Sequence, residues 1–163
     1  MEKEFIEMIN THRGILYKVC NLYCNDPEDK KDLFQEMVLQ LWRSIKTFRK
    51  DSQVSTWMYR VALNTAITNF RKESRKPERF GISESELQIP DISDLALQSE
   101  NLSLLKQAID QLNAIEKAVI MLYLDEKSYE EIAGILGVTR SNVGVKINRI
   151  KIKLESIIKK QKI

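Results

Sequence analysis

Histidine, cysteine, glycine and proline are all scarce in this chain, whose 163 residues hold 1 His, 2 Cys, 5 Gly and 3 Pro. With one histidine, no Gly-rich phosphate loop and no paired nucleophile and base, the common donor sets of catalysis are missing. An enzyme is therefore the weakest reading, and neither a cofactor nor a small-molecule substrate is expected. Cys20 and Cys24 stand four apart on a helical pattern, on one face with His12 and Leu16. As metal ligands they would lack a fourth partner. As small apolar side chains they suit a core, and no disulfide framework is implied. No apolar run approaches the roughly 20 residues of a membrane span. The opening MEKEFIEM lacks the basic-then-apolar order of a signal peptide. No membrane insertion and a cytoplasmic location are the expectation. Strand-like alternation between turn residues is nearly absent as well, so the pattern predicts an all-α protein.

Charge is present in both signs but unevenly placed. The net charge is only +3. Residues 46–79 carry nine basic and three acidic side chains, and 138–163 carry eight basic and one acidic. Between them, 80–101 hold five acidic residues and no basic one. Two basic blocks, each containing a patterned helix, point to two sites for a polyanion.

In chain order, Phe5 to Cys24 reads as one helix with Phe5, Ile6, Met8, Ile9, Leu16, Val19, Cys20 and Tyr23 on its apolar face. Asn25-Asp26-Pro27 ends it. A second helix runs from Pro27 to Phe48, with Pro well placed at its first position. Leu33, Phe34, Met37, Val38, Leu41, Trp42 and Ile45 form its apolar set; Asp32, Gln35, Glu36, Leu39, Gln40 and Arg43 take the other face. After a short basic-polar loop, Ser55 or Thr56 caps a third helix, Trp57 to Glu73. There Arg60, Asn64, Thr68 and Arg71 recur on one polar face. The neighbouring aromatics Phe48, Trp57, Tyr59 and Phe70 could stack unpaired bases, although core packing suits Trp57 and Phe70 better. From Ser74 to Asn101, Pro77, Gly81 and Pro90 break the pattern. A structureless stretch that long is unusual inside one compact domain, so it is read as a flexible linker between two small helical domains, 1–75 and 102–163.

The second domain carries the most patterned stretch. Leu105, Ile109 and Leu112 share one face of a helix over 102–112. Asn113 and Glu116 form a capping box opening Ala114–Leu124, and Ser128 with Glu131 forms another. Gly137 ends the helix that Ser128 begins, Val138 plugs the turn and Thr139 caps the next helix. In that last helix Val143, Ile147, Ile150 and Leu154 make the buried face. Ser141, Val145, Asn148, Arg149 and Ile152 lie opposite, with Arg140 and Asn142 in the first turn. A short helix, a glycine turn and a second helix with polar, basic outward residues is the helix-turn-helix pattern of DNA readers. Lys159, Lys160 and Lys162 add a tail that favours phosphates without reading sequence.

Three stretches then resemble, in order, a bacterial RNA polymerase sigma factor of the extracytoplasmic-function (ECF) group. DLFQEMVLQLW at 32–42 is similar to the helix by which the family docks on the polymerase clamp. Phe48 followed by TWMYRVALNTA at 56–66 is similar to the segment that melts and reads the −10 promoter element. Residues 128–154 are similar to the helix-turn-helix that reads −35. The resemblance implies that Asp32, Gln35, Glu36 and Leu39 contact the clamp helices. It implies that Gln40, Ser44, Phe48 and the loop from Arg49 and Lys50 to Ser55 capture a flipped −10 base, and that Arg60, Asn64 and Thr68 hold the non-template strand. It places Val145, Asn148 and Arg149 at the −35 major groove, with Ser141 and Asn142 beside them, and gives Arg140 and Lys146 to the phosphates. Core RNA polymerase (clamp helices and flap), promoter DNA and an anti-sigma factor are the implied partners. The chain departs from the family at Gly144, where Lys or Arg is usual; glycine also costs about 1 kcal/mol of helix propensity. The alternative is a stand-alone helix-turn-helix regulator, which has no need of the 32–42 and 56–66 motifs.

Overall fold

The computed structural model describes residues 1–48, 53–75 and 100–161, and among these there are helices and no strands. The expected linker lies outside the described residues.

The first domain begins with α1 (Glu2–Thr11) and α2 (Arg13–Tyr23), where the sequence pattern predicts one helix. The break falls at His12. There the Thr11 hydroxyl donates back to the Glu7 carbonyl at 2.8 Å, and the Ile15 N–H reaches only three residues back, to His12. A hydroxyl bonded to the preceding turn bends a helix. Asp26 caps α3 (Pro27–Ser44) through the Glu28 N–H, with Pro27 at its first position. This helix stops at Ser44 and continues as a 3-10 turn over Ile45–Thr47, so it does not reach Phe48 as a regular helix. Then α4 (Val54–Arg75) starts before the expected cap: Gln53 offers its carbonyl to the Trp57 N–H, and Ser55 and Thr56 lie inside the helix.

These four helices close around Leu16, Val19, Leu33, Met37, Leu41, Met58, Ala62 and Leu63. Cys20 joins them, and burial pushes its thiol up to about 12, as burial pushes that of Cys24 up to about 11. Both therefore stay protonated and serve as packing. Two expected core residues face outward instead: Ile6 is 53 % exposed and Trp42 42 % exposed. Trp42 keeps one edge-on contact, to Phe5 at 5.0 Å.

The second domain is built from α5 (Glu100–Asp110), α6 (Ala114–Leu124), α7 (Tyr129–Leu136) and α8 (Arg140–Gln161). Both capping boxes form, at Asn113–Glu116 and at Ser128–Glu131. Gly137 ends α7 at φ 71°, the left-handed conformation that glycine adopts without strain. Thr139 accepts from the Asn142 N–H at 3.1 Å and so opens α8. The core of this domain is Ala108, Leu112, Ala118, Val119, Leu122, Ile132, Val143, Ile147, Ile150 and Leu154.

The two domains touch. Helices α2 and α4 of the first pack against α6, and α4 also packs against α7. Among the described residues no helix is long and apolar enough to cross a membrane.

Candidate nucleic-acid interface

The helix-turn-helix is the most fully formed part of the site. All four residues of the expected buried face of α8 are buried, and Ser141, Val145, Asn148, Arg149 and Ile152 are all exposed. Arg140 and Asn142 are exposed in its first turn, and Lys146 is half-buried. This geometry presents donors and the apolar side chains of Val145 and Ile152 along a rigid rod, and donors on a rod are what base edges in a major groove require. Arg140 also lies 3.5 Å from Glu130 of α7, an exposed pair that contributes little. At Gly144, a Cβ would meet the Tyr129 ring at 3.6 Å, ordinary van der Waals contact. A side chain fits there, so the glycine is not forced by packing.

Three other charged groups of this domain brace it. Glu116 accepts from the Asn113 backbone N–H and from Lys153 at 2.9 Å. Burial works to raise its carboxyl, but these two donors outweigh burial and hold it below its ordinary value. Lys151 stands over the Tyr123 ring at 4.5 Å.

In the first domain the expected docking residues are available. Asp32, Gln35, Glu36 and Leu39 are all exposed along α3, and the Gln40 amide donates to Glu36 at 2.9 Å. Gln40 and Ser44 are half-buried one turn further along. Phe48 stacks obliquely on Trp57 with ring centroids 4.7 Å apart, and so joins the end of α3 to the start of α4. Gln40 and Ser44 thus lie in the last two turns of α3, and Phe48 follows the 3-10 turn after it. Arg49 and Lys50 lie outside the described residues.

The α4 face is mixed. Asn64 and Thr68 are exposed, but one N–H of Arg60 donates to the Gly134 carbonyl of α7 at 2.9 Å. Trp57 and Tyr59 are buried, so neither is a free stacking platform. Phe70 is half-buried, edge-on to Tyr23 at 5.7 Å.

Sequence periodicity misses the contacts between domains. The Tyr23 hydroxyl donates to the Ala114 carbonyl at 2.6 Å in a buried position, and burial pushes its phenol upward. Asp125 accepts from Lys18 at 2.7 Å and from the Tyr59 hydroxyl at 2.6 Å. Burial alone would raise the Asp125 carboxyl; the two donors overcome burial and hold it below its ordinary value. Lys117 is only 3 % exposed, with its ammonium 3.8 Å from Asp110 and 5.6 Å from the Phe70 ring centroid. One signal was legible: Lys117 directly precedes the apolar run AVIMLYL. Finally, Lys146 and Arg149 line a cleft of about 510 Å³ with Phe70, Arg71 and Ser74 of α4.

Comparison with known proteins agrees with this architecture. Residues 8–76 match Sigma-70 region 2, and residues 102–154 match Sigma-70, region 4. The chain is 30% identical over 153 residues to the ECF RNA polymerase sigma factor SigX of Bacillus subtilis (strain 168), covering 88% of this chain and 77% of SigX. It is 29% identical over 147 residues to the ECF RNA polymerase sigma-E factor of Escherichia coli (strain K12), covering 81% of this chain and 77% of that one. The fold is shared with two solved structures. CnrH in complex with the cytosolic domain of CnrY gives a TM-score of 0.69 at 19% identity, covering 98% of this chain and 90% of CnrH. The sigma factor RpoE in complex with the anti-sigma factor NepR from Bartonella quintana gives 0.63 at 18% identity, covering 97% and 96%.

Proposed function

Because this chain belongs to the ECF sigma factors, the RNA polymerase subunits that direct transcription initiation, we propose how its residues divide that work. Residues 1–75 bind core polymerase and read the −10 element; residues 102–163 read −35; residues 76–101 join them. On α3, Asp32, Gln35, Glu36 and Leu39 dock on the clamp helices of the polymerase. Gln40, Ser44 and Phe48, with Arg49 and Lys50 of the following loop, capture one extruded −10 base. Arg60, Asn64 and Thr68 hold the displaced strand. On α8, Val145, Asn148 and Arg149 face the −35 base edges, and Ser141 and Asn142 support them. Arg140 and Lys146 bind phosphates.

The physical division follows from what each element must do. A duplex reader needs a rigid helix, and an arginine suits the guanine O6 and N7 pair. A base in a melted strand offers its Watson–Crick edge only after leaving the stack, at a cost of a few kcal/mol. Stacking and hydrogen bonds from the residues around the end of α3 would repay that cost. The chain performs no catalysis of its own; the polymerase does, in the cytoplasm. An anti-sigma factor is a further partner, supported by the similarity of fold to RpoE, which is seen with NepR.

The observation that carries this reading is the clean separation of faces on α8, with four buried apolar residues and an opposite exposed strip of Ser141, Val145, Asn148 and Arg149. Adding the purified chain to core polymerase on a fragment library of the source genome should yield transcripts from discrete start sites. The Asp32→Lys, Glu36→Lys double variant should yield none while remaining folded. Discrete transcripts that persist in the double variant would move the docking surface elsewhere, and none from the wild-type chain would defeat the reading.

A further inference from the structure

Three basic side chains meet in one cleft. Arg71 of α4 lines it together with Lys146 and Arg149 of α8, around a space of about 510 Å³. Arg71 and Arg149 are exposed and Lys146 is half-buried, so all three keep access to solvent. The volume lies within the range of small-molecule sites, roughly 300–1,000 Å³.

Negative charge is short at this place. Lys117, Arg140, Lys153 and Lys159 of the second domain each stand beside a carboxylate. Among the described residues no ion pair joins Arg71, Lys146 or Arg149 to one. Among the described residues that line the cleft, Glu116 alone brings a carboxylate. That group already accepts from Lys153 at 2.9 Å and from the Asn113 backbone N–H. Three cations around one space repel one another, and a bound anion turns that repulsion into attraction. The first turn of α6 lines the cleft too, and the positive end of that helix adds to the same field.

The −35 duplex accounts for Lys146 and Arg149, as assigned above. It does not account for Arg71, which comes from the first domain and has no part in that assignment. A duplex is also too broad for the space, since its major groove alone is about 12 Å wide.

We propose that this cleft binds a small anion carrying two or more phosphate groups, with Arg71, Lys146 and Arg149 as the groups that hold it. A guanidinium fork matches phosphate oxygens two at a time, and an ammonium adds a point charge. Three cations exceed the charge of a single phosphate, so an oligophosphate matches them better. A bound anion would also compete with the −35 duplex for Lys146 and Arg149. That consequence alone rests on the division of labour given above.

The test titrates the full chain with inorganic tripolyphosphate by calorimetry, at about 0.15 M salt, where diffuse attraction is screened beyond about 8 Å. Saturable binding of one tripolyphosphate per chain is expected. Arg71→Gln should weaken it by about tenfold or more, as loss of a hydrogen bond to a charged group does, and Arg71→Lys by less. Lys160→Gln, which removes an exposed charge near the end of α8, should leave it unchanged. A short single-stranded oligonucleotide without promoter sequence carries the same phosphate chemistry on a nucleic-acid backbone, and its binding should not respond to Arg71→Gln. No saturable binding at millimolar tripolyphosphate overturns the proposal. So does equal weakening by Arg71→Gln and Lys160→Gln, or an oligonucleotide as sensitive to Arg71→Gln as tripolyphosphate is. A second measurement needs no variant. Tripolyphosphate should slow acetylation of Lys146 by acetic anhydride, read by mass spectrometry, and leave that of Lys160 unchanged; an unaltered rate at Lys146 overturns the site. None of these readouts involves polymerase, so a chain that fails to direct transcription would defeat the assigned function and leave the anion site standing.

Discussion

Helices α4 and α8 are each 22 residues long, and each sets a polar face against a buried one. Their fates differ. On α8 the outward strip of Ser141, Val145 and Asn148 stands exposed. On α4, Arg60 is engaged by Gly134 and Tyr59 is buried with its hydroxyl on Asp125. The same helical period describes both. Periodicity reports which side chains avoid their own domain's core; it carries no information on whether another domain covers them.

The strongest way to break the comparison is through the buried faces. Ile147 is fully buried beneath the α8 strip, as Met58 is on α4. Ile147→Ala should cost about 2–5 kcal/mol, the usual range for an emptied core site, read from the denaturant midpoint of the full chain. It should also weaken −35-dependent transcription, because Ile147 lies at the middle of the buried face that seats the exposed strip. A cost below about 1 kcal/mol would show that α8 is loosely seated and that its strip is not rigidly presented.

The outward faces sharpen it further. Arg149→Ala should lose about 1–3 kcal/mol of promoter binding by the holoenzyme at one −35 position, if the guanidinium reads a base there. Arg60→Ala should weaken binding evenly across promoter sequences, as loss of a strand contact does. It should also expand the free chain, because the bond to Gly134 goes. Competition among promoter variants, together with scattering on the free proteins, separates the two. Arg60→Ala acting on one base position only would make the two faces alike and contradict the difference drawn here.

A smaller effect comes from acid. Asp125 faces Lys18, Tyr59 and Lys127, and its carboxyl is held below the ordinary value of 3.8. A carboxylate depressed by a contact between the two domains stabilises that contact above its ordinary value. That contribution is lost as pH falls through the lower value it has in the folded chain. The radius of gyration should therefore stay constant from pH 7 down to about 5 and rise only below pH 3.8. Expansion near neutral pH would assign the contact between the domains to other groups.

How much of this the sequence disclosed follows the range of the interactions. Capping boxes at Asn113 and Ser128, the Gly137 turn, the Thr139 cap and the faces of α8 all depend on residues within a turn or two, and all are as the pattern predicts. The break at His12 was hidden because it arises from one hydroxyl turning back on Glu7, while the apolar spacing runs straight through. Trp42 and Ile6 look apolar and central yet are largely exposed, because the bundle has only four helices to cover them. The Lys18–Asp125 pair spans 107 positions and leaves no local trace. In the candidate site, Gln40, Ser44 and Phe48 could be placed by family resemblance alone; the seating of Phe48 on Trp57 depends on how the end of α3 meets α4.

The last contrast is between two helix ends. α7 stops at Gly137 with φ 71°, and α6 stops with Glu126 at φ 62°. Both residues sit in the left-handed region, but only glycine adopts it without a Cβ clash, which costs an L-residue roughly 1–2 kcal/mol. At Glu126 the surrounding bonds are strong enough to impose it: its N–H donates to the Tyr123 carbonyl at 3.1 Å, and the Lys127 N–H donates to Leu122 at 3.1 Å. This Schellman-type closure turns the chain so that Asp125 and Lys127 both face Tyr59. Glu126→Gly should relieve the clash. Against that, glycine gains entropy in the unfolded chain, so the net stabilisation should be small, at most about 1 kcal/mol. The reverse change, Gly137→Ala, meets no neighbouring atom within 4 Å and so should lose stability through its backbone alone, by about 1 kcal/mol. Denaturant midpoints at unchanged m-value would measure both. Opposite signs at the two ends would show that α7 and α6 end by the same conformation but only α6 holds it under strain; a destabilised Glu126→Gly chain would mean that the Glu126 side chain itself contributes to the closure.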